Sequence, residues 1–239
     1  MNSIVLKIKK RESPMYDWLY RTIKSLRKIS VPSIKLVHLP LYYIHLTVQK
    51  TLNTLYAMIW TVPIFKARCS YCGNGLRLPT GLPEIEGLNL ILEVGNDVVL
   101  HRGYLSTSNV LVNPKIKIGN NVHVGRNFVI SASQSVEIGD NTLISWDCFI
   151  SDSDGHSINP TRRAQHQPME LNSIRPVKIG NNVWIGSGCT ILKGVSIGDN
   201  TIIGANNVIT KNVDSNMIVP PTNARGMKLA CISDIVLGE

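Results

Sequence analysis

Ile179, Ile185, Ile191, Ile197, Ile203 and Ile209 stand six residues apart, and glycine directly follows four of them, Ile179, Ile185, Ile197 and Ile203. An α-helix repeats its apolar positions every three or four residues and a strand every two, so a strict period of six requires the chain to turn a corner after each short strand. The result is a β-solenoid whose coils are triangular prisms of about three hexapeptides each, with the branched side chain of the first position filling the interior.

A second inward register falls four residues on, at Val183, Cys189, Val195, Thr201, Asn207 and Val213, small or β-branched residues suited to the inside of a tight corner. Traced back in sixes, the first register reappears at Ile138, Ile144 and Ile150, and again at Leu88, Val94, Leu100, Val112, Ile118, Val124 and Ile130, broken only at Ser106. Two residues are inserted between Ile130 and Ile138. A long excursion, 151–176, separates Ile150 from Ile179, and solenoids gather such insertions on a working face.

Charge divides the chain in the same way. Residues 1–87 hold 13 Lys and Arg against 4 Asp and Glu, whereas residues 88–239 hold 12 against 12, so the whole net charge of +9 lies ahead of the repeats. Three parts follow: a basic, partly helical segment 1–87, a repeat domain 88–213, and a tail 214–239.

Basic clusters occupy Lys7, Lys9, Lys10 and Arg11, then Arg21, Lys24, Arg27 and Lys28, and apolar stretches rich in tyrosine and tryptophan run from Leu36 to Phe65. Pro40 and Pro63 are expected to interrupt these stretches, which are too short to cross a bilayer. Two roles suit the segment: a helical cap on the open end of the solenoid, and contact with the anionic inner leaflet. No aromatic-basic platform or reading helix accompanies the charge, which argues against nucleic acid.

The lone Cys69-x-x-Cys72 lacks the second pair a structural zinc site needs, and no metal is expected. Cys148 and Cys189 fall on the inward fourth position and read as core thiols. Reduced cysteines suit a cytoplasmic protein.

The excursion opens with Ile150-Ser151-Asp152-Ser153-Asp154-Gly155-His156-Ser157-Ile158. A histidine in a polar turn just past a strand, with carboxylates two and four residues before it, suits a neutral imidazole acting as general base while a carboxylate holds its other nitrogen. Both Asp152 and Asp154 qualify as the orienting group.

This turn, the repeats, and the run VKIGNNVWIGSGCTILKGVSIGDNTIIGANNVITKNV over residues 177–213 together resemble the left-handed β-helix acyltransferases. Within them the nearest pattern is the branch of maltose and galactoside O-acetyltransferases and bacterial polysaccharide O-acetyltransferases. The resemblance covers about residues 88–230 and is most specific over 145–211. It implies a left-handed parallel β-helix with an N-terminal helical segment and one long loop, acetyl-CoA as acyl donor, and a homotrimer with active sites between subunits.

By the same resemblance, His156 matches the catalytic base and Asp154 its first-choice orienter. Trp184 matches the indole beside the reacting centre, and Ser187, Gly204 and Ala205 line the pantetheine path. Lys211, with Arg225 and Lys228 in the tail that completes the cofactor site, match basic positions near the phosphates and adenine. The turn Pro220-Pro221-Thr222-Asn223-Ala224-Arg225 departs from the Gly-x-Pro-Ala-like turn usual there. Arg162, Arg163, His166 and Arg175 of the excursion would lie near the acceptor, where they would favour an acidic glycan.

A thioester is already an activated donor, so a base, a placed hydroxyl and an oxyanion donor suffice without a covalent intermediate. An amine acceptor on an amino sugar would use the same base, so N-acetyl transfer remains open, as does a non-enzymatic binding solenoid. A γ-type carbonic anhydrase would need three histidines on one zinc, two of them close in sequence. His101, His123, His156 and His166 do not provide that spacing.

Overall fold

The computed structural model describes residues 3–221 apart from 29, 31, 88 and 109, together with 230–231. It divides into two units, residues 1–50 and 51–239.

The second unit is the solenoid, and its strands stack into three parallel faces. The first face runs through Tyr71–Cys72, Ile91–Val94, Lys115–Ile118, Ser135–Ile138, Val177–Ile179 and Ser196–Ile197. The second runs through Val99–Leu100, His123–Val124, Leu143–Ile144, Trp184–Ile185, Ile202–Ile203 and Met217–Val219, with Ala230–Cys231 antiparallel at its edge. The third comprises Glu84–Ile85, Gly103–Ser106, Phe128–Ser131, Phe149–Ser151, Thr190–Ile191 and Val208–Ile209.

All six isoleucines from Ile179 to Ile209 are buried, as are Ile138, Ile144 and Ile150. In the second register Val183, Cys189, Val195, Thr201 and Asn207 are buried and Val213 is half-buried. The Cys148 and Cys189 thiols donate inside the column to the carbonyls of Gly186 (3.3 Å) and Gly204 (3.1 Å). Burial pushes the Cys148 thiol up to about 11, the behaviour of a packing residue.

The register before Ile118 differs from a plain count of sixes. Val112 is 83% exposed, and the inward residue of its neighbourhood is Leu105, paired in register with Ile130. The chain turns its corner one residue early, after Leu100, and then bulges outward before the next face begins at Lys115. That bulge restores the phase at Ile118, so Val112 falls in step by coincidence. Leu88 lies outside the described residues. Strands of the first coil begin at Tyr71, ahead of residue 88, and Met217–Val219 extends the second face past residue 213.

Corners are held by asparagines with left-handed backbone, among them Asn182 (φ 55°), Asn200 (φ 57°) and Asn216 (φ 60°). A short amide side chain tolerates this conformation and also bonds locally. Here the Asn182 amide donates to Asn200 (3.1 Å) and the Asn200 amide to Asn216 (2.9 Å), tying successive coils together.

Ahead of the first coil, α4 (Val62–Arg68 of the solenoid unit; α1 to α3 are given below) sends Phe65 into the core, fully buried. Arg68 donates to the carbonyls of Leu90 (3.2 Å) and Gly87, which fixes α4 against the coil it precedes. A helical cap docked on a neighbouring subunit was one of the two roles expected of the N-terminal segment; within the solenoid unit, α4 packs on the first coil. Burial pushes the neighbouring Cys69 thiol up to about 12, with Cys72 adding to the rise.

The first unit contains α1 (Ser3–Lys10), α2 (Pro14–Leu26) and most of α3 (Lys35–Tyr56), which continues through a π-helical turn Ala57–Thr61 into α4. Ser13 caps α2. Contrary to the expectation from sequence, neither proline ends the helical run. Pro40 lies inside α3, and Pro63 follows the π turn at the start of α4, where wider spacing of the backbone bonds accommodates a residue with no N–H. No helix among the described residues is long and apolar enough to cross a membrane.

Candidate active site

The excursion leaves the third face after Phe149–Ser151 and rejoins the first at Val177–Ile179. It is anchored to the solenoid at both ends. Asp152 is fully buried, and its two oxygens accept from the backbone amides of Ser133 and Gln134 (2.6 Å each) in the coil before. Burial pushes this carboxyl above its ordinary range while those amides oppose the rise. Ser153 bridges antiparallel to Ile174, and the Ser133 hydroxyl donates to that of Ser153 (2.8 Å). Met169 and Ile174 are buried, giving the far end of the loop an apolar anchor.

His156 stands between these anchors, exposed, on a turn that Gly155 allows through its positive φ of 77°. The next residue is locked: the Ser157 hydroxyl donates to Glu170, and its oxygen accepts from the Asn159 amide (3.1 Å). Arg163 donates to the carbonyls of Ser157 (3.0 Å) and Ile158 (3.2 Å). Arg162 lies 3.6 Å from Glu170 and donates to the Pro168 carbonyl (3.1 Å). Both arginines, expected to face an acceptor, fold the loop. Arg175 is exposed and forms no ion pair among the described residues.

The two candidate orienters of His156 have other partners. Asp152 holds the turn of the preceding coil, and Asp154 is paired with Lys193. Sequence reading missed Lys193, although its signal was present. Ile150 and Ile191 share a register, which puts residues 152 and 193 at the same corner of successive coils. Glu170 and Ser157 were missed because nothing in a loop's sequence says which of its residues close on each other.

Trp184 is half exposed on the second face, with Leu143 and Ile202 beside it in register. The loop bearing His156 joins the third and first faces, so one chain carries the histidine and the indole on different sides of its prism. Ser187 is exposed and Ala205 half-buried in turns of adjacent coils, linked where the Asn206 amide donates to the Ser187 carbonyl (2.8 Å). Packing requires glycine at 204, since an added Cβ would lie 2.6 Å from the nitrogen of Pro221. Lys211 is exposed, and Arg225 and Lys228 lie outside the described residues.

Outward positions differ by face. The first face presents Glu93, Lys117, Glu137 and Lys178, with Lys115 paired to Glu93 at 2.9 Å. The second presents His123, Leu143, Trp184 and Ile202, and the third Glu84, Tyr104, Val129, Phe149, Thr190 and Val208, both more apolar than the first. Among the described residues no group of three or more His, Cys, Asp or Glu is placed to hold a metal. His101 and His123 stack at 5.3 Å on successive coils, and burial, then His123, lowers the His101 pKa.

Residues 176–211 match the family model described as bacterial transferase hexapeptide (six repeats). The chain is 38% identical over 118 residues to galactoside O-acetyltransferase of Escherichia coli K12, covering 46% of this chain and 56% of that protein. It is 38% identical over 102 residues to polysialic acid O-acetyltransferase of Escherichia coli O1:K1, covering 42% and 32% respectively. Among solved structures it resembles AntD, an N-acyltransferase from Bacillus cereus in complex with dTDP and coenzyme A, with a TM-score of 0.57 at 19% identity over 74% of this chain and 92% of that one. At that identity the likeness is one of fold. The chain thus spans little more than half of its galactoside relative.

Proposed function

We propose that this chain, a hexapeptide-repeat β-helix related to the galactoside and polysialic acid O-acetyltransferases, transfers an acetyl group from acetyl-CoA to a sugar hydroxyl of a bacterial surface polysaccharide or its precursor. The observation that carries the reading is the His156 turn, exposed at its tip and locked on both flanks by Asp152 and by the Ser157–Glu170 contact. The names of the two relatives supply the reaction class.

In this reading His156 removes the acceptor proton as the oxygen attacks the thioester carbonyl, a role worth about a hundredfold to ten-thousandfold. Asp154, held in place by Lys193, orients it. Trp184, Ser187, Gly204, Ala205, Lys211, Arg225 and Lys228 hold the donor, and Arg175 takes over the acceptor contact that Arg162 and Arg163 cannot make while they fold the loop. Histidine and indole on different faces of one prism, with two outer faces more apolar than the charged third, favour a homotrimer in which each site draws on two subunits. Such an enzyme works on the cytoplasmic side, where acetyl-CoA is made, with its basic N-terminal unit toward the inner leaflet.

Thiol release from acetyl-CoA, measured across a panel of glycans and amino sugars, tests the proposal. The expected product is an ester that mild alkali removes. An alkali-stable amide would move the enzyme to amino-sugar N-acetylation, and no release with any acceptor would leave a binding solenoid.

A further inference from the structure

The N-terminal unit has a surface that the acyl-transfer reading does not use. Helix α3 carries Leu39, Tyr42, Tyr43, Ile44, Leu46 and Val48 around its circumference, every one exposed. A soluble helix normally buries its apolar stripe and shows water the polar one, whereas α3 exposes its apolar side chains beside its polar ones, and exposed apolar surface of this extent marks an interaction site. At about 1.5 Å per residue α3 is roughly 33 Å long, yet it is too polar to span a bilayer. Its remaining option is to lie at an interface.

Charge decides what covers it. Residues 1–50 hold 10 Lys and Arg against Glu12 and Asp17. Asp17 is engaged by Arg21 (2.8 Å) and Arg11 (3.6 Å), which leaves Lys9, Lys24 and Arg27 without a carboxylate among the described residues. These three line a cavity of about 330 Å³ between α1 and α2, together with the apolar side chains of Val5, Ile8 and Ile23. Cations beside aliphatic groups in one groove match the chemistry of an anionic lipid, phosphate above and glycerol and acyl carbons below. A second copy of the chain would bring an equally positive unit against this one.

We infer that residues 1–50 dock on an anionic phospholipid bilayer, with the Lys9–Lys24–Arg27 groove receiving a lipid phosphate headgroup and α3 lying in the interface. This deepens the inner-leaflet reading of the unit and is independent of the chemistry at His156. Apolar insertion alone would be insensitive to lipid charge, and charge alone would not depend on which cations are removed. The inference requires both dependences.

The experiment is flotation of the full-length protein with vesicles of phosphatidylglycerol and phosphatidylcholine, and with phosphatidylcholine alone. Binding to the anionic vesicles should be at least tenfold tighter and should weaken as salt rises. Lys9→Glu, Lys24→Glu and Arg27→Glu combined should lower it at least tenfold. A control with the same change in charge outside the groove, Lys7→Glu, Lys10→Glu and Lys28→Glu, should lose clearly less, and Tyr42→Asp with Leu46→Asp should weaken binding to both vesicle types. Equal losses in the two charge variants would overturn the headgroup site. Equal binding to neutral vesicles, or no flotation together with self-association that Tyr42→Asp and Leu46→Asp abolish, would overturn the bilayer as occupant. Acetyl transfer to a soluble acceptor, followed in parallel, reports separately on the catalytic reading.

Discussion

Lys193 reaches across from the following coil to pair with Asp154, two residues before His156. The pair is partly exposed, so its effect on stability is small, under about 1 kcal/mol. Its effect on the position of the turn is larger. Lys193→Gln should lower kcat several-fold, on the order of tenfold, because a displacement of about 1 Å at a reacting group is costly. Thermal unfolding should barely change, and an unaltered kcat would show that the ion pair does not position the base.

His156→Ala should leave the fold intact, since the side chain is exposed, and remove about a hundredfold to ten-thousandfold of acetyl transfer. Steady-state rates with a responsive glycan test this. A loss below about tenfold would remove His156 from the role of base.

Trp184→Ala should chiefly weaken use of acetyl-CoA. The indole is 51% exposed, and substitution at a half-exposed position costs far less than a core deletion. Scanning calorimetry beside acetyl-CoA saturation curves separates the two effects, and a large fall in unfolding temperature would assign Trp184 to a packing role.

Acid should loosen the excursion through Glu170. The Ser157 hydroxyl, then backbone amides, hold this carboxyl below its ordinary value of 4.5. A lowered carboxylate contributes above its unfolded pKa and loses that contribution as pH falls through the folded value, so the loop is held at neutral pH and released well into acid. Amide hydrogen exchange across residues 157–170 should rise over that window in the wild type. In Glu170→Gln it should already be raised at neutral pH and vary less with acid.

Leu105→Ala should destabilise the solenoid by about 2–5 kcal/mol, the usual cost of a deleted core side chain, whereas Val112→Ala should change it by less than about 0.5 kcal/mol. Denaturant unfolding of the two variants tests the register directly. Equal losses would mean that Val112 is inward after all.

The contrast between those residues shows how far the chain could be read without coordinates. Where coils hold 18 residues, as from Ile179 to Ile197, the period is the geometry, and every inward position from Ile179 to Ile209 was legible. Where coils hold 24, as from Val94 to Ile118, the corner takes up extra chain, and a count of sixes passes through a bulge without registering it. At the site, the turn that exposes His156 was legible from local spacing, but the partners that Asp152 and Asp154 take, the Ser133 and Gln134 amides and Lys193, were not foreseen. The arginines were not legible either, because the carbonyls that Arg162 and Arg163 hold belong to a loop whose shape has no period. The prolines misled for a related reason: a π turn absorbs Pro63, and π turns leave no simple sequence mark.

A stack of parallel coils has two raw edges, each a template on which another copy could continue growing. Here Phe65 packs into the core at one end, and the antiparallel strand Ala230–Cys231 is laid along the second face at the other. A role for the short helix α4 as a stop against end-to-end filaments is then a prediction. Cutting the chain after residue 68 should yield fibres that scatter light and lengthen with concentration, rather than a shorter folded molecule or an unfolded one.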